Sequence, residues 1–266
     1  MVKGDAKPIL KISDLINLEE DIKAINKLIK NSYEDVLLMY KHDKHVHLNS
    51  SLSCLPILAV LISKYIRRSE NDIDRDWLIL SKGHAAPALY AILAEVGVIP
   101  KSELPKINRI DSMLQNHTDI STPSIDFSSG SLGQGISFAI GVATWIKRMG
   151  GKGRVFVIMG DGEQDEGQVW EAITHAASLR LNNLVVIVDW NNTQLDGVTN
   201  EIKPKHYIPL IWKIIGWKVL WASGRDIVSM IMAFDEILES DKPTVIFVQT
   251  SDVRKLLEAI ASHGAH

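Results

Sequence analysis

VFVIMGDGEQDEGQVWEAITHAASLRLNNLVVIVDWNNTQLD, residues Val155–Asp196, holds two apolar runs on either side of an amphipathic segment. A short apolar run ends in Gly160-Asp161-Gly162, an amphipathic segment follows, and a second apolar run closes at Asp189 with Asn191 and Asn192 just beyond. Strand, tight turn, helix, strand and turn in that order make the unit from which parallel sheets are built. A carboxylate ends the first strand and two amides follow the second. Both places fall at the carboxyl edge of an α/β sheet, where ligands bind. A carboxylate and a carboxamide presented together to a phosphate-bearing ligand suggest a Mg²⁺ site completed by the ligand's own oxygens. Glycines on both sides of Asp161 let the backbone approach a diphosphate. For Gly160-Asp161-Gly162 alone the competing reading is an ordinary strand-ending turn. The asparagines in the matching place one unit later argue against it.

Working outward, residues 197–211 read as an irregular crossing segment, Trp217–Trp221 as a strand, Ile227–Glu239 as a helix and Val245–Gln249 as a strongly β-forming strand. A last helix is expected over Val253–Ser262, so that 251–266 form a C-terminal helix and tail. On the N-terminal side, Gly130-Ser131-Leu132-Gly133-Gln134-Gly135 opens a helix running to about Arg148. Its glycines imply close backbone contact with a ligand or another helix. They follow a polar loop instead of a strand, which argues against a dinucleotide fingerprint. Residues 100–129 form a long loop with short helix, and His117 stands in its middle; long ordered loops tend to be functional. Trp77–Leu80 is a short strand that runs into Ser81-Lys82-Gly83-His84, and Ala85–Val96 follows as a helix with Pro87 in its first turn. His84 is then a strand-end residue, with helix capping as the bland alternative.

Further upstream, Leu52–Arg67 reads as a helix capped by Asn49-Ser50-Ser51. His47 sits where its N-terminus meets the interior, whereas His42 and His45 read as solvated loop residues. Leu18, Ile22, Ile25, Leu28 and Ile29 repeat at helical spacing within a long helix over Asn17–Lys41, which could break near Asn31. Residues 1–14 read as an arm. No linker separates two domains, so residues 1–266 are expected to form a single domain.

Bulk properties narrow the function classes. The chain has 266 residues, enough for a large α/β core, with 46% apolar and 23% charged residues and a formal net charge of −3. Scattered basic residues and a 6% aromatic share give no nucleic-acid footprint. A single cysteine, Cys54, excludes an intramolecular disulfide framework and reads as buried filler. The N-terminus lacks an apolar signal core, and no run is expected to approach a membrane span. A cytoplasmic location is therefore expected. Trp212, Trp217 and Trp221 cluster and could serve core packing or an interface.

Taken together, Leu80-Ser81-Lys82-Gly83-His84, Phe127 to Gly135, Gly160-Asp161-Gly162 with Glu166-Gly167 and Trp170-Glu171-Ala172, and Asp189 with Asn191 and Gln194 to Gly197 carry a family likeness. Over roughly residues 15–250 the chain resembles the N-terminal, diphosphate-binding domain of the transketolases, and particularly the N-terminal subunit of transketolases split into two chains. The resemblance implies a thiamine diphosphate-binding fold with an open, mostly parallel sheet flanked by helices. It implies that Asp161, Asn191 and the main-chain carbonyl of Thr193 ligate a Mg²⁺ or other divalent ion. It also places Gly162 and His84 near the diphosphate and the backbone at Gly130 and Leu132 against the aminopyrimidine. Glu166 resembles the glutamate at the subunit interface that couples two cofactor sites. His47 and His117 match histidines that line the substrate channel and exchange protons or hydrogen bonds with sugar hydroxyls. The implied reaction transfers a two-carbon ketol unit from a ketose phosphate to an aldose phosphate, using carbanion chemistry supplied by the cofactor.

In this family the glutamate that activates the aminopyrimidine belongs to the second domain, which these 266 residues do not supply. A separate C-terminal subunit is thus an expected partner, in a heterotetramer with two of each chain, and the single chain is expected to be inactive. Two departures stand out. The glycines usual around the residue matching His47 are replaced by Leu48-Asn49-Ser50-Ser51, and Gln249-Thr250-Ser251-Asp252 stands where a Gly-Lys-Gly loop and a further histidine would continue. Another split thiamine diphosphate enzyme, acting on a 2-oxo acid or an unusual sugar, is the nearest alternative. A non-catalytic scaffold is the alternative from a different class.

Overall fold

The computed structural model describes residues 12–194 and 197–250. Within them the β-branched runs VFVIMG, LVVIVDW and TVIFVQ form strands β2 (Val155–Gly160), β3 (Leu184–Trp190) and β7 (Thr244–Gln249). Such continuous apolar runs belong to parallel strands covered on both faces. With β1 (Trp77–Leu80) and β6 (Lys218–Ser223) they make a five-stranded sheet in the order β1-β2-β3-β7-β6, every neighbouring pair parallel. The expected mostly parallel α/β sheet is present. A two-residue hairpin, β4 (Thr193–Gln194) with β5 (Gly197–Val198), follows β3.

Period-two alternation sends side chains to two cores. Phe156, Ile158, Val185, Ile187, Ile246 and Val248 join a cluster with residues of α1 (Ile12–His42), α2 (Leu48–Val60), α3 (Ala86–Glu95) and α8 (Ile227–Asp235). Val155, Val157, Met159, Val186, Val188 and Phe247 join the other with α4 (Gln134–Arg148), α5 (Gly167–Ser178) and α7 (Ile208–Ile215). The chain steps from β1 through β2 and β3 to β6 with α4, α5 and α7 on one face. It then reverses to β7 through α8 on the other, as right-handed crossovers require.

Several boundaries differ from the sequence expectations. Helix α1 takes in residues from Ile12 and runs unbroken past Asn31, whose side-chain amide donates to Glu95 Oε2 at 2.9 Å. The second helix starts at Leu48 instead of Leu52, with His47 as N-cap and no side-chain cap from Asn49-Ser50-Ser51. It continues through a π-helical turn, Leu61–Tyr65. Leu48–Tyr65 is therefore an 18-residue helical run of mean hydropathy 1.3, long and apolar enough to cross a membrane, which corrects the expectation that no run approaches that length. Its interspersed Ser, Pro and Lys residues hid the run. Here Leu55, Ile57, Leu58 and Leu61 are buried, and α2 packs against α1, α3 and α8. Residues 197–211 hold β5, a one-turn α6 (Thr199–Ile202) and the start of α7, and α8 ends at Asp235. Of the expected arm over residues 1–14, residues 12–14 are instead the first of α1, and residues 1–11, like the expected C-terminal helix and tail over 251–266, lie outside the described residues. Trp212 and Trp217 are buried core residues, and Trp221 stays half exposed.

Candidate functional site

The site begins where β2 and β3 end side by side, with Gly160 in register with Asp189. Asp161 follows directly and its carboxylate is buried. Oδ1 accepts from the Gly162 amide and Oδ2 from the Asn192 amide, each at 2.8 Å, so one side chain ties the two strand-end turns together. Asn192 adopts φ 57°, a left-handed conformation that asparagine tolerates, and this swings the chain back into the β4–β5 hairpin. Asn191 Oδ1 accepts from the Thr193 amide at 2.9 Å. An added Cβ on Gly162 would come within 3.1 Å of Gln194 Cβ, so glycine is what lets the hairpin seat there.

Asp161, Asn191 and the Thr193 carbonyl offer a carboxylate, a carboxamide and a main-chain oxygen at one edge of the sheet. That all-oxygen set fits a hard divalent cation whose remaining positions are filled by diphosphate oxygens and water. Among the described residues no group of three His, Cys, Asp or Glu side chains forms a metal centre, in keeping with a set that holds one carboxylate. Burial, with the nearby charge of Asp189, pushes the Asp161 carboxyl up to about 6. A bound cation would favour its ionised form.

Beneath these groups lies a buried ion pair. Lys82 and Asp189 are both almost fully buried, with Nζ to Oδ2 at 2.5 Å. Asp189 Oδ2 also accepts from Ser53 Oγ at 2.6 Å, and Oδ1 accepts from Thr250 Oγ1. Burial alone would pull the Lys82 ammonium down, but the Asp189 charge holds it above its ordinary value. A second buried carboxylate, Glu163, accepts from Ser81 Oγ and from the Gly133 amide at 2.8 Å through Oε1, and from the Gly160 amide at 3.2 Å through Oε2. It thereby joins the ends of β1 and β2 to the start of α4. Gly135 packs so closely there that an added Cβ would lie 2.5 Å from Ser81 Oγ.

Three histidines converge at the ends of β1 and α2. The His47 ring lies 5.3 Å from that of His84 and 6.4 Å from that of His117, both edge-on. Loop 117–129 reaches them because Gly83 has no side chain: a Cβ would fall 2.0 Å from Ser129 Oγ and 3.1 Å from His117 Cδ2. Tyr90 Oη donates to the His117 carbonyl at 3.1 Å from α3. His84 belongs to a short 3₁₀ turn, Gly83–Ala85. Burial, then the charge of Lys82, pulls its imidazole down to about 3, so it stands neutral. Burial, then His117, lowers His47 as well.

Gly130 and Leu132 lie in the loop leading to α4, whose N-cap Gly133 has φ 81°. Glu166 is exposed, caps α5, and sits where a Cβ on Gly133 would approach its own Cβ to 3.0 Å. The structure thus groups Asp161, Gly162, Asn191 and Thr193 at one place, and His47, His84 and His117 at another. Lys82, two residues before His84 and paired with Asp189, connects them. Glu166 stands apart, against the start of α4. Cys54 is buried and its thiol is pushed up to about 12 by burial, which fits packing and not nucleophilic chemistry. The place of the missing Gly-Lys-Gly loop and histidine, after Thr250, lies outside the described residues.

Sequence reasoning passed over Lys82 and Glu163. A lysine directly after a buried strand, facing a carboxylate at the end of a parallel neighbour, was the available signal for the first. Glu163 had none, because Gly-Glu-Gln-Asp-Glu reads as a polar turn.

Residues 36–266 match the family described as transketolase, thiamine diphosphate binding domain. The 6-deoxy-6-sulfo-D-fructose transketolase subunit SqwG of Clostridium sp. (strain MSTE9) is 38% identical over 77% of this chain and 76% of its own length. An apulose-4-phosphate transketolase subunit from Actinobacillus succinogenes is 35% identical over 88% of this chain and 84% of its own. Among solved structures, a Pichia stipitis transketolase in complex with sedoheptulose 7-phosphate superposes with a TM-score of 0.80 at 26% identity. The match covers 85% of this chain but only 36% of that one.

Proposed function

From the premise that this chain belongs to the transketolase family, as its thiamine diphosphate binding domain, we propose that it is the diphosphate-binding subunit of a two-chain transketolase. The observation that carries this reading is the pairing of the oxygen donors Asp161, Asn191 and Thr193 with the histidine group at one edge of a parallel sheet. Asp161, Asn191 and the Thr193 carbonyl would hold Mg²⁺ or another divalent ion, and the Gly162 amide would meet the diphosphate. Thiamine diphosphate, when bound, supplies the carbanion-stabilising carbon. Everything else falls to the chain. His84, kept neutral, can accept or donate a hydrogen bond without carrying charge. His47 and His117 would bind sugar hydroxyls and exchange protons with them. Gly130 and Leu132 would line the aminopyrimidine.

A second chain is part of the proposal, with two copies of each chain in the assembly. What supports it is that relatives are named as subunits. The partner would carry the glutamate that activates the aminopyrimidine, and Glu166 would face the interface. A cytoplasmic location goes with the reading, resting on one buried cysteine. The substrates proposed are a ketose phosphate donor and an aldose phosphate acceptor, as in the pentose phosphate pathway. A donor outside that set is the second reading. It is favoured by Leu48-Asn49-Ser50-Ser51 after His47 and by the sulfofructose and apulose phosphate in the relatives' names.

Co-purification from the native cell, followed by assay with thiamine diphosphate and Mg²⁺, tests the proposal. Ketol transfer by the pair and none by the single chain is expected. Xylulose 5-phosphate with ribose 5-phosphate supports the first reading, and transfer only from an unusual ketose supports the second. Turnover of 2-oxo acids without any ketol transfer would overturn both.

A further inference from the structure

The three histidines come from separate segments, and one carboxylate outside the group joins two of them. Asp43, in the connector between α1 and α2, accepts through Oδ1 from the His45 amide at 2.9 Å and from His45 Nδ1 at 2.8 Å. Its Oδ2 accepts from Asn108 Nδ2 at 2.6 Å. The same Asn108 amide donates to Asn116 Oδ1 at 2.9 Å, one residue before His117. Asn108 holds φ 61°, with its own N–H given to the Leu114 carbonyl at 2.9 Å. The His45 end of this network is two residues from His47, and the Asn116 end is adjacent to His117. The His47 side chain makes no capping hydrogen bond, while its carbonyl accepts from the Ser51 amide at 3.0 Å and from Ser51 Oγ at 2.9 Å at the start of α2. The hydrogen bonds, that of the His45 backbone first and that of Asn108 next, hold the Asp43 carboxyl down at about 2.

We propose that Asp43 is a positioning residue: by tying the His45–His47 connector to the Asn108–Asn116 turn, its carboxylate sets where His47 and His117 stand relative to each other, and so how sugar hydroxyls are held. The last clause rests on the reading of the site as a transketolase site; the tie between the two segments does not. Small misplacements of binding groups are costly, since displacement by about 1 Å is enough to lower rates roughly a hundredfold.

The test uses Asp43→Ala and Asn108→Ala, which cut the tie from opposite sides, and Asp43→Asn, which keeps an acceptor for Asn108. Long-range ¹H–¹⁵N spectra of the imidazoles in the full chain should show His47 and His117 resonances displaced in both alanine variants and largely restored in Asp43→Asn. In the complex with its partner, KM for xylulose 5-phosphate, or for whichever ketose the assay identifies, should rise about tenfold, the scale of one charge-assisted hydrogen bond. Thiamine diphosphate affinity should stay unchanged. Unmoved His47 and His117 resonances in both alanine variants would overturn the proposal, as would a fall in thermal midpoint and kcat with KM unchanged. An inactive wild-type complex would count against the functional reading alone, because the imidazole spectra need no turnover. If Asp43→Ala fails to fold, Asn108→Ala reads the same tie.

Discussion

Lys82 is the residue on which the two halves of the site depend. Its ammonium and the Asp189 carboxylate are both out of water, and removing one partner of such a pair leaves a buried uncompensated charge. Lys82→Met should therefore lower unfolding free energy by roughly 3–5 kcal/mol in urea titration, and Lys82→Met with Asp189→Leu should recover part of that loss. An unchanged urea midpoint in Lys82→Met would show that the pair does not operate as described. His84 gives a pH signature. Its folded value of about 3 lies below the ordinary 6.5, so the unfolded chain takes up a proton first as pH falls. The native state is not penalised above pH 6.5 and loses stability between 6.5 and about 3, by up to about 1.4 kcal/mol per pH unit. His84→Asn should flatten the dependence of the urea midpoint on pH over that window, and an identical slope in the variant would contradict the assignment.

At the scale of elements, close approach of backbones brings the groups together. The start of α4 lies against the end of β1 because Gly135 carries no side chain; a methyl there would meet Ser81 Oγ at 2.5 Å and Ser81 Cα at 2.9 Å. Gly135→Ala should thus cost about 1–3 kcal/mol of stability, measured by denaturant midpoint, with helix content by circular dichroism unchanged. A neutral or stabilising result would mean that α4 shifts freely. These elements were largely legible in the sequence. Apolar runs of β-branched residues ended by Gly-Asp-Gly and by Asp-Trp-Asn-Asn announced β2 and β3 and the edge at which ligands bind. The start of α2 was not, because Asn49-Ser50-Ser51 has the composition of a cap while the helix begins at Leu48, with His47 as the capping residue. Nor was the joining of Asp43 to Asn108 across 65 residues, since no local pattern encodes a contact between two irregular loops. Glu163 was hidden in the same way: its partners Ser81, Gly133 and Gly160 come from three segments.

For the molecule as a whole, a parallel sheet supplies a rigid edge, and in the proposed reading the groups offered there would hold a diphosphate and its cation. The chain covers little more than a third of the solved transketolase it superposes on. In the proposed reading Asp161 and its neighbours bind thiamine diphosphate through a divalent ion. Calorimetric titration of thiamine diphosphate into the chain assembled with its partner tests it most directly, with and without Mg²⁺ and with Asp161→Ala. Binding should require the metal and be abolished in Asp161→Ala, while the variant keeps its fold by circular dichroism. Affinity unchanged by EDTA, or unchanged in a folded Asp161→Ala complex, would contradict it.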